Sequence, residues 1–379
     1  MKLLLTNQNY QFGGISIVGI PFLLDAQMQL VDTANRYLYY ISAIRGRTAS
    51  PATWRTYGDH LYELFSFFEE NGLSWDSINE EHLAAWRNSM QARGLKRRTC
   101  NSRIRTTSAF YVWCQRKGLI EDVPFHQEDI YVSKPKGFLA HVDVSGGRML
   151  TNELTLPSTR PLPRFLSLSQ TREFIDALRP RRTQLIAWLM FFCGLRRKEA
   201  ASLDIRVLPS PAGHNPDKAI KMTLDPSLTK TKGSKERWVQ LPYPVAGWLF
   251  EYMMNERPKL AKKYKQKYGA HSTNLFLTHQ GEELSLDGLD TQFQKASVIT
   301  GIKCTPHMLR HTFAVHELIR MSGKPGINAL KWVSDRLGHA SINNTMVYIA
   351  AADLVNHEDL DGHVEEMLSL ISGNAQHGH

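Results

Sequence analysis

The chain has few cysteines. Its 379 residues include only four, Cys100, Cys114, Cys193 and Cys304, far apart and without a C-x-x-C pair. That scarcity argues against a disulfide framework or a zinc ribbon and suits a reducing cytoplasm, the expected location. No apolar run approaches the ~20 residues of a membrane helix. The nearest, Ile15–Leu24, is broken by Gly19 and Pro21 and lacks the basic start of a signal peptide, so it reads as a strand or an extended arm. There is no internal repeat and no low-complexity tract. Acidic residues are missing altogether from Arg93 to Lys117.

What is present is ordinary globular composition, with 42% hydrophobic and 22% charged residues, which excludes a disordered or fibrous chain. The length favours two domains over one. Lys and Arg number 46 against 36 Asp and Glu, a net charge of +10 that points to a polyanion, nucleic acid ahead of a membrane surface.

Residues 1–24 carry Gly13-Gly14 between short apolar stretches and predict an N-terminal arm or hairpin. A helical domain is expected over 25–133. Ser50-Pro51 reads as an N-cap followed by proline at the first helical position. Trp54, Tyr57, Leu61, Leu64, Phe65 and Phe68 then recur at helical spacing up to Gly72. Further helices are expected over Glu80–Arg93 and from Lys96 to Lys117, stopped by Gly94 and Gly118. Residues 134–165, rich in Pro and Gly, read as a linker whose middle, Phe138–Val144, contributes a short strand. From 166 to 379 the pattern is mainly helical, with strand-like stretches at Ala219–Leu224 and Arg237–Leu241. The expected fold class is therefore mainly α, in two domains, the second with a small antiparallel β-sheet.

The Arg93–Lys117 stretch holds eight basic residues: Arg93, Lys96, Arg97, Arg98, Arg103, Arg105, Arg116 and Lys117. Like charges at i,i+4 repel, so a solvated helix normally mixes signs. Charge of one sign is better explained by phosphates, whose neutralisation releases counterions. The plainer alternative is a basic surface face without a partner.

Four separated segments carry candidate chemistry: Cys193–Glu199, Lys230–Arg237, Thr305–His311 and Leu337–Ala340 with Tyr348 beyond it. Each alone has a bland reading, such as a surface arginine, a hairpin lysine, a capping histidine or a core tyrosine. His307 and His311 stand i,i+4 like a metal pair, but position 308 is not the Glu of H-E-x-x-H, no third ligand is evident, and no metal is expected.

In order, Arg, Lys, His-x-x-Arg, Gly-His and Tyr, the segments resemble the tyrosine recombinase (phage integrase) family. The matching stretches are GLRRKEAASL at Gly194–Leu203, TKGSKERWVQLP at Thr231–Pro242, TPHMLRHTFAVHEL at Thr305–Leu318 and LGHASINNTMVYIA at Leu337–Ala350. Residues Ser50–Phe125 resemble the family's core-binding, SAM-like domain. The resemblance implies a site-specific DNA recombinase that joins strands through a covalent 3′-phosphotyrosyl intermediate without metal, ATP or other cofactor. Arg196 and Arg310 would hold the scissile phosphate, and His307 and His339 would complete the cradle. Lys232, chosen over Lys230 and Lys235, would protonate the leaving 5′ oxygen. Tyr348 would attack phosphorus, and Glu199 would orient its neighbours. Lys96, Arg97, Arg98, Arg103 and Arg105 would bind double-stranded DNA.

The resemblance also implies a homotetramer on DNA, and the lack of a long apolar run argues against a membrane partner. Val207–Ala219 reads as a surface insertion. Val364, Met367, Leu368 and Ile371 suggest a terminal helix that packs on its own domain or on a neighbouring protomer. A type IB topoisomerase, and a DNA-binding regulator or architectural protein without catalysis, are the alternatives. The second would show an eroded set of site residues, and none is eroded.

Overall fold

The computed structural model describes residues 1–46, 50–131, 148–157, 162–229, 236–339 and 341–352. The Phe138–Val144 strand, Lys230, Lys232, Lys235 and the Val364–Ile371 helix lie outside the described residues. The chain forms two compact units, Met1–Arg160 and Pro161–His379.

The first unit begins with β1 (Lys2–Leu5), β2 (Gln11–Phe12), β3 (Ile15–Ser16) and β4 (Pro21–Leu24). β2 and β3 form a hairpin nested inside the antiparallel pair of β1 with β4. Its turn uses Gly13 and Gly14, both at positive φ (57° and 78°), the backbone a tight primed turn demands. The N-terminus is therefore a hairpin with a buried end, since Ile20 and Leu23 join the core of this unit.

Helices α1 (Asp32–Tyr39), α2 (Pro51–Glu70), α3 (Glu80–Ala92) and α4 (Arg97–Arg116) follow, with a π-helical turn at Tyr40–Ile44. The starts and stops follow local chemistry. Pro51 sits in the first turn of α2, and Asn79 caps α3 by accepting from the His82 amide at 3.1 Å. The apolar stripe of α2 packs on α4, with Phe65 and Tyr37 both edge-on to Phe110. Gly58 lies inside α2 because Pro21 of β4 crosses there: a Cβ would stand 2.6 Å from the proline's own Cβ.

Strands β5 (Gln127–Tyr131) and β6 (Arg148–Asn152) pair antiparallel. Residues 148–157 were expected to be part of a linker, yet they pack on the first unit. Leu154 is buried there, and the Asn101 side chain hydrogen-bonds both the amide and the carbonyl of Leu156 at 2.9 and 2.8 Å.

The second unit comprises α5 (Leu168–Ala177), α6 (Arg181–Cys193), α7 (Arg197–Ala201), β7 (Ile220–Leu224), β8 (Arg237–Leu241), α8 (Tyr243–Asn255), α9 (Arg257–Tyr268), α10 (Leu286–Thr300), α11 (Pro306–Ser322), α12 (Ala329–Leu337) and α13 (Asn343–Ala352). β7 and β8 form the small antiparallel sheet. Their alternating buried and exposed residues turn Ile220, Met222, Leu224, Val239 and Leu241 into the core. After a polar first turn, α6 is apolar all round from Leu185 to Cys193, as suits a central helix, and α11 packs against it. Of the Val207–Ala219 stretch expected as a surface insertion, residues 212–219 are exposed, but Val207 is buried in the core and Leu208 packs against it. Among the described residues, no helix is long and apolar enough to cross a membrane.

Candidate active site

The site forms where α6 ends, α11 begins and α12 meets α13. Gly194 closes α6 in the left-handed conformation (φ 61°), which turns the chain sharply into Arg196. A Cβ there would also come within 2.5 Å of the Phe313 ring, so glycine is required twice over. Thr305 caps α11 and Pro306 occupies its first turn, fixing the helical phase that presents His307, Arg310 and His311 together.

Glu199 is fully buried. It accepts from Arg196 Nη1 and from the Arg196 amide, both at 2.8 Å, and from Arg237 Nη1 and Nη2 at 3.1 and 2.5 Å. Burial alone would raise its carboxyl. The hydrogen bonds and charge of Arg237, joined by Arg196, overcome that and hold it down at about 2. Arg237 was not anticipated as a site residue, because in sequence it reads as the first residue of a strand.

Three arginines converge on the C-terminal end of α12. The Arg336 carbonyl accepts from Arg237 Nε at 2.9 Å, the Leu337 carbonyl from Arg310 Nη2 at 2.6 Å, and the Gly338 carbonyl from Arg196 Nη2 at 3.1 Å. A helix C-terminus leaves such carbonyls without helical partners and carries partial negative charge, so cations satisfy both needs. Arg310 reaches back as well to the Gly194 carbonyl through Nη1 and is only 2% exposed. Burial, then the nearby Arg196, lowers its pKa to about 9, which leaves it charged at neutral pH.

Tyr348, on α13, is 3% exposed. Its Oη lies 2.8 Å from Nδ1 of His311. Burial raises the tyrosine's pKa while Arg310 and Arg196 oppose that, so the phenol is protonated at neutral pH. His339 is fixed through Nδ1 to Thr345 Oγ1 at 2.8 Å, and its ring lies near-parallel to that of Tyr348. Burial and the surrounding cations bring His311 and His339 each down to about 4 and lower His307. The rings of His307 and His311 lie with centroids 4.2 Å apart and tilted by 59°, and no third ligand groups with them among the described residues.

The structure thus brings Arg196, Glu199, His307, Arg310, His339 and Tyr348 into one neighbourhood. It adds His311, which sequence reasoning considered only as half of a metal pair. The signal was available, since i,i+4 spacing puts His311 on the same helix face as His307. A buried cluster of arginines and neutral histidines favours an anion with several acceptor oxygens.

In the first unit Lys96, at the N-cap of α4, and Arg97, Arg98 and Arg105 on the helix are exposed. Arg103 is ion-paired with Glu63 at 3.3 Å, and Glu63 also pairs with Arg93, so α2 supplies the acid that the basic stretch lacks.

This fold, a helical unit followed by a helical unit with a two-stranded sheet, is that of the tyrosine-type site-specific recombinases, and comparison with known proteins assigns the class. The Phage integrase family profile matches residues 164–354, and the family's N-terminal SAM-like domain matches residues 34–118. The chain belongs to the phage integrase family. It is 27% identical over 357 residues to transposase A from transposon Tn554 of Staphylococcus aureus, covering 88% of this chain and 92% of that one. It is 26% identical over 309 residues to tyrosine recombinase XerC of Bacillus pumilus, covering 79% and 86%. Among solved structures it shares the fold of XerH site-specific recombinase bound to palindromic difH substrate, with TM-score 0.56, 21% identity, and coverage of 84% of this chain and 82% of that chain. It also shares the fold of the Tn1549 transposon integrase in complex with transposon right end DNA, with TM-score 0.55, 16% identity, and coverage of 89% and 98%.

Proposed function

We propose that this recombinase cleaves and rejoins double-stranded DNA through a covalent bond between Tyr348 Oη and a 3′ phosphate, with no metal, ATP or other cofactor. The observation that carries the reading is the buried Tyr348 phenol hydrogen-bonded to His311 beside Arg310 and Arg196. Unactivated tyrosine, near pKa 10, is a poor nucleophile. A neutral His311 with Nδ1 unprotonated accepts the phenol's hydrogen bond and then its proton. A phosphate entering among Arg196, Arg310, His307 and His339 adds negative charge, which raises the basicity of these histidines and readies that transfer.

In the forward step the Tyr348 Oη–P bond forms and the P–O5′ bond breaks. The leaving oxygen takes its proton from Lys232. Rejoining reverses both changes. Because the phosphodiester energy is kept in the protein–DNA bond, no ATP is consumed. Arg196 and Arg310 bind the non-bridging oxygens and stabilise charge in the transition state, an effect of about 10²–10³ in rate per donor. Two guanidinium groups and a lysine supply the positive charge that a metal would otherwise bring, and the neutral histidines add hydrogen bonds.

Lys96, Arg97, Arg98 and Arg105 grip backbone phosphates outside the reacting centre; Arg103 contributes from its ion pair with Glu63. The relatives solved with DNA, including a lambda integrase dimer bound to a COC′ core site, support a DNA partner for this chain. Exchange between two duplexes cleaves four strands and uses one tyrosine per strand, so the working assembly is a homotetramer acting in the cytoplasm.

The test is a supercoiled plasmid carrying two copies of an inverted-repeat site identified by searching the DNA around the coding region. Recombinant circles or deletions are expected with the native protein and none with Tyr348→Phe. Relaxed plasmid without any exchanged product would instead indicate a topoisomerase, and neither product would indicate a DNA-binding regulator.

A further inference from the structure

Arg336 is 4% exposed, and its Nε and Nη2 have no hydrogen-bond partner among the described residues. An arginine buried this way is costly, and an apolar side chain of equal volume would avoid the cost. What the charge does contribute is attraction to aromatic faces. Its guanidinium carbon lies 3.1 Å from the centre of the Trp332 ring and 4.3 Å from that of Trp238. The two rings stand at 86° to each other, so the guanidinium fills a corner between them. Trp332 is itself held, donating from Nε1 to Glu317 Oε1 at 2.8 Å, and Arg320 clamps that carboxylate at 2.6 and 2.7 Å.

The two rings belong to different elements. Trp332 is on α12, one turn before Arg336, whereas Trp238 is on β8. Its neighbour Arg237 holds the Arg336 carbonyl, so consecutive residues of β8 grip both ends of Arg336. The next two carbonyls, of Leu337 and Gly338, are the acceptors that orient Arg310 and Arg196. Trp238 is 40% exposed, so its ring covers little of the hydrophobic core.

We infer that the corner formed by Trp238, Arg336 and Trp332 is a positioning device that pins the end of α12 to β8 and so aims Arg196 and Arg310 at the scissile phosphate. The inference rests on the reading that those two arginines hold that phosphate. None of the three corner residues touches the reacting atoms. Their contribution passes through carbonyl oxygens that place the two guanidinium groups, and misplacement on the order of 1 Å is enough to slow a reaction about 10²-fold.

The test uses the full chain and single-turnover adduct formation on a nicked duplex. Trp238→Ala and Arg336→Met are expected to slow cleavage by about 10- to 100-fold with unchanged DNA affinity. Trp238→Phe, which keeps an aromatic face, should recover most of the rate. A second substrate replaces one non-bridging oxygen of the scissile phosphate by methyl, which removes the charge the arginines neutralise. Arg196→Ala serves as the reference and should lose much less on this neutral substrate than on the native one. The corner variants should show the same relief. Native rate in Trp238→Ala, or an equal loss on both substrates, overturns the positioning role while leaving the phosphate cradle standing. If Arg196→Ala shows no relief, the cradle reading fails and the inference fails with it.

Discussion

Nδ1 of His311 lies 2.8 Å from the hydroxyl of Tyr348, a hydrogen bond between the second turn of α11 and α13 that joins a base to a phenol otherwise buried among cations. Replacing His311 by Leu removes the acceptor and should lower the cleavage rate about 10²-fold, within the usual span for general acid–base groups. His311→Asn places an amide oxygen near the Nδ1 position and should keep the tyrosine oriented without accepting its proton. It should therefore bind DNA normally and cleave slowly. Quench-flow measurement of adduct formation checks both variants.

The histidines also set a pH dependence of stability. His311 and His339 have folded values near 4, below their ordinary value of 6.5. The unfolded chain binds more protons in that window, so the stability they contribute is full above about 6.5 and is lost as pH falls towards 4. Urea unfolding of the DNA-free protein, followed from pH 7 to pH 4, should show a falling midpoint. In His311→Asn the fall should be shallower. A midpoint that does not change across that range would contradict the assignment.

Glu199→Gln keeps the side chain's shape but removes the charge shared by Arg196 and Arg237. Arg237 is 8% exposed, so its cation would be left buried and uncompensated. Breaking one partner of such a pair costs about 3–5 kcal/mol. Denaturant unfolding should register that loss, and adding Arg237→Met should recover part of it. The double variant should still cleave poorly, because Arg196 would have lost the carboxylate that orients it.

The exposed cations of α4 predict salt dependence. Alanine at Lys96, Arg97, Arg98 or Arg105 should each reduce the slope of log K against log salt by about 0.9 for every phosphate no longer neutralised, weakening binding to all sequences alike. Arg103→Ala should act partly on stability, since it strips Glu63 of a partner. Fluorescence anisotropy at several salt concentrations, beside a thermal melt, separates the two effects.

Much of this was legible in the sequence because local chemistry set it. Pro51, Gly94 and Gly118 mark the helix limits of the first unit, and the order of Arg196, His307, Arg310, His339 and Tyr348 announced the site. The residues that were missed act by bringing distant parts of the chain together. Arg237 belongs to the site only because β8 runs beside Glu199 and the end of α12. His311 was visible as a helix neighbour of His307, but its partner Tyr348 comes from another helix. Residues 148–157 read as linker because glycines and prolines bracket them, Gly146-Gly147 before and Pro157, Pro161 and Pro163 at and after their end, whereas the reciprocal bonds of Asn101 with Leu156 tie them to the first unit. Hydrophobic period says nothing about such polar closures.

The most direct measurement is covalent capture on a nicked duplex from the DNA flanking the coding region, in which the small fragment released on cleavage diffuses away and religation stops. In EDTA the native protein should accumulate a protease-sensitive protein–DNA adduct at a 3′ phosphate, and Tyr348→Phe should give none. Absence of an adduct with the native protein on its own site, a requirement for added metal, or an undiminished adduct in Tyr348→Phe would contradict the account.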